Sequence, residues 1–345
     1  MKAVQIHAHG GIEQLRYEET NDPELQSPRD VIVKLEAAAL NPVDLAIRSG
    51  TRGGELFSPR ILGADGSGTV VAVGAEVKNV KPGDAVCLYP LTGCGRCRTC
   101  AEGLECGCTA MQLWGEHDNG TYAEYIRVPA KNCFAVPVGL SFDEAAAFPL
   151  VYVTVWRMLI GHAELRPGER VLIMGAGGGI ATAALHLASA FGARIIVTSS
   201  SEVKLARALE LGAAHGLDYR NPDFPQEVRR LTGKRGVDVV IDCNGGEQWV
   251  KCLAALARGG RLVTCGANAG ASVKTDLRRI FWNHLKIFGT TAGSRAEFRQ
   301  LLSFMEASHR KPVIDQIFPL EDAKWAQRRM QDGQQFGKIV LRVSR

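Results

Sequence analysis

The sequence predicts an α/β protein in which a compact β-rich domain is joined to a doubly wound parallel sheet. Three observations predict it. From Met1 to Leu140, short alternating or β-branched runs are punctuated by Gly and Pro, the pattern of half-buried strands between tight turns. From Gly168 to Gly289, strand-like runs alternate with helical ones, which calls for a parallel sheet covered on both faces. And the 345 residues exceed the roughly 250–300 at which a single core stops growing, so two domains are expected.

In the first part, strands are expected over Lys2 to Ile6, Asp30 to Glu36, Gly68 to Val73, Asp84 to Leu88 and Tyr122 to Val128. Pro28, Gly63, Gly74, Pro82-Gly83 and Pro129 separate them. The texture changes at SFDEAAAFPLVYVTVWRML: Ser141 with Glu144 three residues later is a capping-box pattern, and a helix follows. The parallel sheet is expected from Val171 to Met174, Arg194 to Thr198, Val237 to Asp242, Arg261 to Cys265 and Leu285 to Gly289, with a short strand near Gly216 to Tyr219 as the sixth. Its helices are Ile180 to Phe191, Glu202 to Leu211, Pro225 to Thr232 and Gly246 to Ala257. After Ala292 come a helix (Arg295 to Ser308), the strand-like IDQIFPL, a helix (Leu320 to Asp332) and a strand (Gly337 to Val343). This tail is too short for its own core, so it is expected to fold back onto the first domain. The division is then 1–147 with 292–345, and 148–291.

Hydrophobic content of 46% and charged content of 22% are ordinary for a globular chain. The net charge of +5 comes from scattered residues such as Arg229, Arg230, Lys234, Arg235, Arg278 and Arg279 without a nucleic-acid-binding motif, so no nucleic-acid partner is expected. There is no run of roughly 18 apolar residues, and MKAVQIHAHGG has no apolar signal core, so no membrane partner and a cytoplasmic setting are expected.

Two stretches carry chemistry. RVLIMGAGGGIATAALHLASA, Arg170 to Ala190, reads as a buried strand, a glycine-crowded turn (Gly175, Gly177, Gly178, Gly179) and a helix opening at Ile180. Backbone N–H groups there face outward and the helix dipole adds roughly half a positive charge, which is how a dinucleotide pyrophosphate is held. The second is Cys94-x2-Cys97-x2-Cys100-x7-Cys108, which gathers four of the ten cysteines in a glycine-rich loop. Four thiolates at these spacings suit a closed tetrahedral Zn2+, a structural site, in a reducing compartment where disulfides do not persist. Cys106 could replace Cys108, but the spacing favours Cys108. Cys87, Cys133, Cys243, Cys252 and Cys265 read as small buried residues.

With these motifs, GADGSGTVVAVG (Gly63 to Gly74), VKPGDAV, GTYAEYIRVPA (Gly120 to Ala130) and FGKIVL, the chain resembles the medium-chain dehydrogenase/reductase superfamily over essentially its whole length. The resemblance implies a GroES-like first domain, a Rossmann second domain, and an NAD(P)-dependent oxidoreductase with its substrate cleft between them. It also shows a departure. The three catalytic-zinc ligands of the zinc alcohol dehydrogenases fall at Asn41, Ala64 and Leu150, and these cannot hold the metal. The segments AALNPVDLAIRSG and AAAFPLVYVTVW instead resemble the quinone oxidoreductase branch, which works without metal.

The strand ending at Thr198 runs into Ser199, Ser200, Ser201, Glu202, Val203 and Lys204. Serines and a lysine suit a 2′-phosphate where a carboxylate would repel it, so NADP(H) is favoured over NAD(H). Ser199 to Ser201 also read as a helix cap, and Lys204 as a solvated lysine. By resemblance, Tyr219 contacts the same phosphate and Thr154 binds the nicotinamide carboxamide. Asn244 lies along the cofactor, Gly266, Ala267 and Thr291 line the nicotinamide pocket, and Lys338 is a further contact. Hydride arrival puts negative charge on a carbonyl oxygen, and hydrogen-bond donors must then do the metal's work. Asn41 is the expected donor. Asp44 reads either as an acid of the site or as a buried turn-stabilising carboxylate, Arg48 is a further polar candidate, and Tyr152 is core. A quinone or α,β-unsaturated carbonyl, which delocalises the charge, is the expected substrate. The alternatives are aldehyde/alcohol dehydrogenase activity on a small carbonyl substrate, and a nucleotide-binding protein without turnover. The resemblance further implies a homodimer or homotetramer.

Overall fold

The computed structural model describes residues 1–53 and 56–343. The chain forms two compact units, Met1–Leu150 with the residues from Ser294 onward, and Val151–Gly293.

The first unit is built on β3 (Asp30–Ala39), an apolar strand long enough to serve three partners. Antiparallel β5 (Asp65–Val73) lies along one edge. On the other, β9 (Tyr125–Pro129) pairs with Asp30–Lys34 and β18 (Lys338–Arg342) with Ala37–Ala39. The sheet continues outward through β6 (Ala85–Leu88) and β10 (Cys133–Ala135) on one side and β17 (Ile314–Pro319) on the other. The tail beyond Ser294 thus supplies two strands to this sheet. A three-stranded sheet of β1 (Lys2–Ile6), β2 (Arg16–Glu19) and β4 (Arg60–Ile61) packs alongside, and β7 (Leu91–Thr92) pairs with β8 (Gln112–Leu113) at the base of the cysteine loop. One core joins Ile6, Leu40, Ile61, Leu62, Tyr122 and Ile339; a second joins Val31, Val33, Leu35, Val86 and Val128.

The second unit is a six-stranded parallel sheet: β11 (Arg170–Ile173), β12 (Arg194–Thr198), β13 (His215–Leu217), β14 (Val237–Asp242), β15 (Leu256–Thr264) and β16 (Lys286–Gly289). Their spatial order is β13-β12-β11-β14-β15-β16. The order reverses between β11 and β14, the switch point outside which doubly wound sheets bind ligands. Leu172, Ile196, Val240 and Leu262 are buried in its core against Phe224, Val228 and Leu253 from the covering helices.

Three expectations are corrected. The helix read from Ser141 is interrupted. Its capping box forms, with Glu144 N–H donating to Ser141 Oγ at 3.3 Å and Ser141 N–H to the Glu144 carboxylate at 2.8 Å, but the segment stops at Ala146. A second helix starts at Pro149, whose ring has no N–H to give the preceding turn, and runs to Trp156 before a π-helical turn, Arg157–His162. Strand β3 runs to Ala39, because Ala37, Ala38 and Ala39 are the small residues that let β18 and β5 flank it. Strand β15 begins at Leu256, five residues ahead of the expected Arg261.

Candidate active site and metal centre

The cysteine loop runs between β7 and β8. The sulfurs of Cys94, Cys97, Cys100 and Cys108 all lie within 4.8 Å of one another. Cys97 Sγ and Cys108 Sγ are 3.7 Å apart, against an edge of about 3.8 Å for a tetrahedron with Zn–S of about 2.3 Å. The N–H groups of Cys94 and Ala110 donate to Cys108 Sγ at 3.4 Å each. A hydrogen bond from the Thr99 hydroxyl, then one from the Cys100 amide, lower the Cys97 thiol to about 6, toward the thiolate a metal needs. Gly93 has to be glycine, since a Cβ there would stand 2.6 Å from Cys100 Sγ. The four residues fit a structural zinc. Among the described residues no other group of three or more His, Cys, Asp or Glu side chains converges in this way, and Cys106 is outside the four. Cys243 and Cys265, read as buried, are partly exposed.

In the second unit the expected cofactor residues gather at the C-terminal ends of the parallel strands. Gly175 and Gly177 hold φ of +79° and +102°, values that favour glycine, and Gly178 caps the helix Gly179–Ala190. A Cβ on Gly175 would stand 2.9 Å from Asn244 Nδ2, whereas one on Gly178 would meet Gly175 O at 3.7 Å, an ordinary contact. The first helical bond is Thr182 N–H to Gly178 O, so the earlier N–H groups of the first turn, at Ile180 and Ala181, have no partner within the helix. That cradle fits a pyrophosphate. At the end of β12, Ser199 is buried and accepts from Ser201 N–H, Ser201 caps the next helix at Lys204 N–H, and Tyr219 donates its hydroxyl hydrogen to Ser200 at 3.1 Å. After β14, Asp242 accepts from the Asn244 and Gly245 amides, and burial raises its carboxyl above the usual range. Gly266 and Ala267 follow β15 and are exposed, as is Thr291 after β16; Thr154 is buried on the helix Pro149–Trp156. Tyr152, read as core, is buried with its hydroxyl 2.9 Å from His186 Nδ1.

The first unit brings together residues 41, 65, 150 and 338. Asn41 Nδ2 donates to Asp65 Oδ2 at 2.8 Å, and Lys338 Nζ donates to Asn41 Oδ1 at 2.6 Å and to the same Asp65 oxygen at 3.1 Å. The result is a closed ring of three hydrogen bonds. Its third ammonium hydrogen goes to Leu40 O at 2.7 Å, and the Leu150 N–H donates to Asp65 Oδ1 at 2.8 Å. All three ring residues are buried. Lys338, expected beside the cofactor, spends its three donors inside this unit. Ala64 and the Leu150 side chain offer no metal ligand, and the ring already satisfies Asp65, so these residues do not fit a catalytic zinc. Asp44 accepts from the Asn41 amide and the Tyr122 hydroxyl at 2.8 Å each. Arg48 is buried and donates to Gln327 at 2.8 Å and Gln331 at 3.2 Å. Sequence reasoning missed the Asp65–Lys338 pair, Tyr122 and Gln327. A charge inside an apolar run, as in GADGSG and FGKIVL, was the available signal, because a buried charge requires a partner.

Residues 27–138 match the family model described as the alcohol dehydrogenase GroES-like domain, and residues 179–307 match that of the zinc-binding dehydrogenases. The chain is 33% identical over 340 residues to a zinc-type alcohol dehydrogenase-like protein of Schizosaccharomyces pombe, covering 96% of each. It is 29% identical to the human quinone oxidoreductase, covering 99% of this chain and 97% of that one. A solved structure of an NAD-dependent alcohol dehydrogenase superposes with a TM-score of 0.96 at 43% identity, with all of both chains covered. The fold and the site therefore define an NAD(P)-dependent oxidoreductase with a four-cysteine structural zinc site. The chain belongs to the medium-chain dehydrogenase/reductase superfamily, with the zinc-type alcohol dehydrogenases and quinone oxidoreductases. Among the described residues no helix is long and apolar enough to cross a membrane.

Proposed function

We propose that the chain interconverts a small carbonyl compound and its alcohol, as an alcohol-dehydrogenase-type enzyme whose reaction centre uses side-chain donors where zinc relatives use a metal. The Asn41–Asp65–Lys338 ring carries this reading: Asn41 stands at one of the three positions where the resemblance puts a zinc ligand, and Asp65 and Lys338 hold its carboxamide from both sides. The 43% identity to an NAD-dependent alcohol dehydrogenase along the whole chain supports it. The bound nicotinamide supplies or accepts the hydride. The protein's part is to hold the carbonyl oxygen while it gains charge, with the Asn41 carboxamide as donor. The proton that completes the alcohol comes from solvent or a cofactor hydroxyl, so Asn41 keeps its own.

A second reading, reduction of quinones or α,β-unsaturated carbonyls, is favoured by one observation: Asn41, Ala64 and Leu150 leave no Lewis acid, and a conjugated acceptor spreads the charge that must be stabilised. The similarity to the human quinone oxidoreductase is consistent with it. In either case NADP(H) is the preferred cofactor, because Ser199, Ser200 and Lys204 follow β12 with no carboxylate at the strand end, and Tyr219, after β13, reaches Ser200. The domain division read from the sequence, 1–147 with 292–345 and 148–291, assigns the ring to the GroES-like part and the glycine turn to the Rossmann part. We further propose a homodimer or homotetramer assembled through β16.

One experiment tests the reading. NADPH and NADH oxidation is followed with benzaldehyde, cyclohexanone, 1,4-benzoquinone and 2-cyclohexenone, together with the zinc content of the purified chain. Turnover with benzaldehyde, preference for NADPH and about one zinc per chain are expected. Faster quinone and enone reduction selects the second reading, a preference for NADH overturns the cofactor assignment, and two zincs per chain overturn the metal-free centre.

A further inference from the structure

We propose that Lys338 is a positioning residue that fixes and polarises the Asn41 carboxamide, so that the remaining N–H of that amide is the donor to the substrate oxygen. The inference rests on the carbonyl-reduction reading above. Its ground is sheet register. Strand β18 pairs antiparallel with β3, Val340 opposite Ala39, and Leu40 N–H donates to Ile339 O at 2.9 Å. Two residues further along the same register, Lys338 stands opposite Asn41, at the point where β3 ends and the helix Pro42–Ser49 begins. The lysine is therefore aimed by the ladder rather than by a loop.

The ring decides which way the amide points. Its oxygen faces an ammonium at 2.6 Å, and its nitrogen faces a carboxylate at 2.8 Å. A flipped amide would set NH2 against the ammonium and C=O against the carboxylate, two repulsive contacts in a buried site, so only one orientation survives. The ammonium also draws electron density toward Oδ1, and in an amide this strengthens the N–H groups as donors; hydrogen bonds in series polarise one another in this way inside a protein. Asp65 takes one of the two N–H groups. The other, among the described residues, has only Ala39 O, at 3.5 Å, the outer limit of a hydrogen bond. That weakly held hydrogen is the one offered. Asp65 is in turn held by the Leu150 amide, so all three ring members are fixed from outside the ring as well: Lys338 by Leu40 O, Asp65 by Leu150 N–H and Asn41 by its backbone bond to Asp44. A mobile lysine could not do this.

A double-mutant cycle with benzaldehyde and NADPH on the full-length, zinc-loaded protein tests it. K338M is expected to lower kcat about tenfold with KM changed less than about threefold, and N41A to lower kcat about 100-fold. In N41A/K338M the lysine's effect disappears, leaving kcat at the N41A value, because Lys338 acts only through the amide. Losses that multiply, or an unchanged kcat in folded K338M, overturn the proposal. Should K338M fail to fold because Asp65 is left buried and unpaired, D65N/K338M removes both charges and is read the same way. A second readout does not need turnover. In protein labelled with 15N-asparagine, the Asn41 side-chain amide, assigned by its loss in N41A, is expected downfield of free amides and to move to their position in D65N/K338M. An amide resonance that does not move overturns the inference. Absence of wild-type turnover with a shifted amide overturns only the carbonyl-reduction reading.

Discussion

Asp44 lies in the first turn of the helix Pro42–Ser49 with no exposed surface, and its two oxygens are treated unequally. Oδ2 accepts from Asn41 N–H and the Tyr122 hydroxyl, while Oδ1 has no partner among the described residues. Burial pushes its carboxyl up to about 7; the Asn41 bond, the Tyr122 bond and the charge of Lys338 pull it back, and the charge of Asp65 opposes them. A carboxyl whose folded value lies above its unfolded one stabilises the fold fully below the unfolded value of about 4, and that stability is lost as pH rises through about 7. The loss over this window is on the order of 4 kcal/mol. The prediction is that the wild-type melting temperature falls between pH 5 and 8, and that D44N, whose amide oxygen still accepts both bonds, flattens this slope and is the more stable protein at pH 8. Equal slopes in calorimetry refute it. Of the two readings that the sequence allows for this aspartate, an acid of the site and a buried turn carboxylate, the second describes its place: it is buried and holds the Asn41 backbone. What the sequence could not show was the partner, since Tyr122 is 78 residues away and no local pattern joins them.

At the scale of elements, local chemistry was legible wherever it was self-contained. The four-cysteine spacing, the glycine turn after β11 and the Ser141–Glu144 cap depend on neighbours a few residues apart, and they form as read. Elements whose limits are set by distant partners were not: β3 extends to Ala39 only because β18, some 300 positions later, arrives beside it. The cysteine lobe shows the same dependence. Glu105 lies between Cys100 and Cys108, is buried, and accepts from the Arg295 backbone N–H at 2.7 Å and its Nε at 2.8 Å. It therefore pins the start of the helix Arg295–Ser308, whose own cap is Ser294 with Glu297. Phe298, one turn on, packs against Tyr89, Phe134 and Phe148. Breaking a buried charge pair costs about 3 kcal/mol or more. E105A should therefore destabilise the first unit by about that amount. Removing the zinc with a chelator should likewise speed amide hydrogen exchange over 295–308 while leaving 179–190 unchanged. Unaltered exchange at 295–308 in zinc-free protein would show that the lobe does not support this helix.

At the scale of the whole molecule, the alternation of strands and helices was enough to predict a doubly wound sheet, while its strand order, reversing between β11 and β14, comes from the structure. Assembly leaves a fainter trace, because a strand reads the same whether its outer edge meets solvent or another chain. The proposed assembly rests on the sheet's end. Among the described residues strand β16 pairs only with β15, and the short helix before it presents Leu277, Phe281 and Trp282 at 70%, 63% and 71% exposure, with Ile287 of β16 at 38%. An open edge beside large apolar side chains invites pairing with another chain, and this four-residue strand carries one charged residue, Lys286, to blunt it. Two copies joined antiparallel along β16 would satisfy the free N–H and C=O groups of both edges in one isologous contact and bury Phe281 and Trp282 from each. The expected result is a wild-type mass of two or four chains by light scattering after size exclusion, at micromolar concentration. F281E/W282E places two like charges on each side of that contact, so it should run as a smaller species with an unchanged far-ultraviolet circular dichroism spectrum. A wild-type monomer, or a variant that keeps the wild-type mass, would remove this edge as the assembly surface.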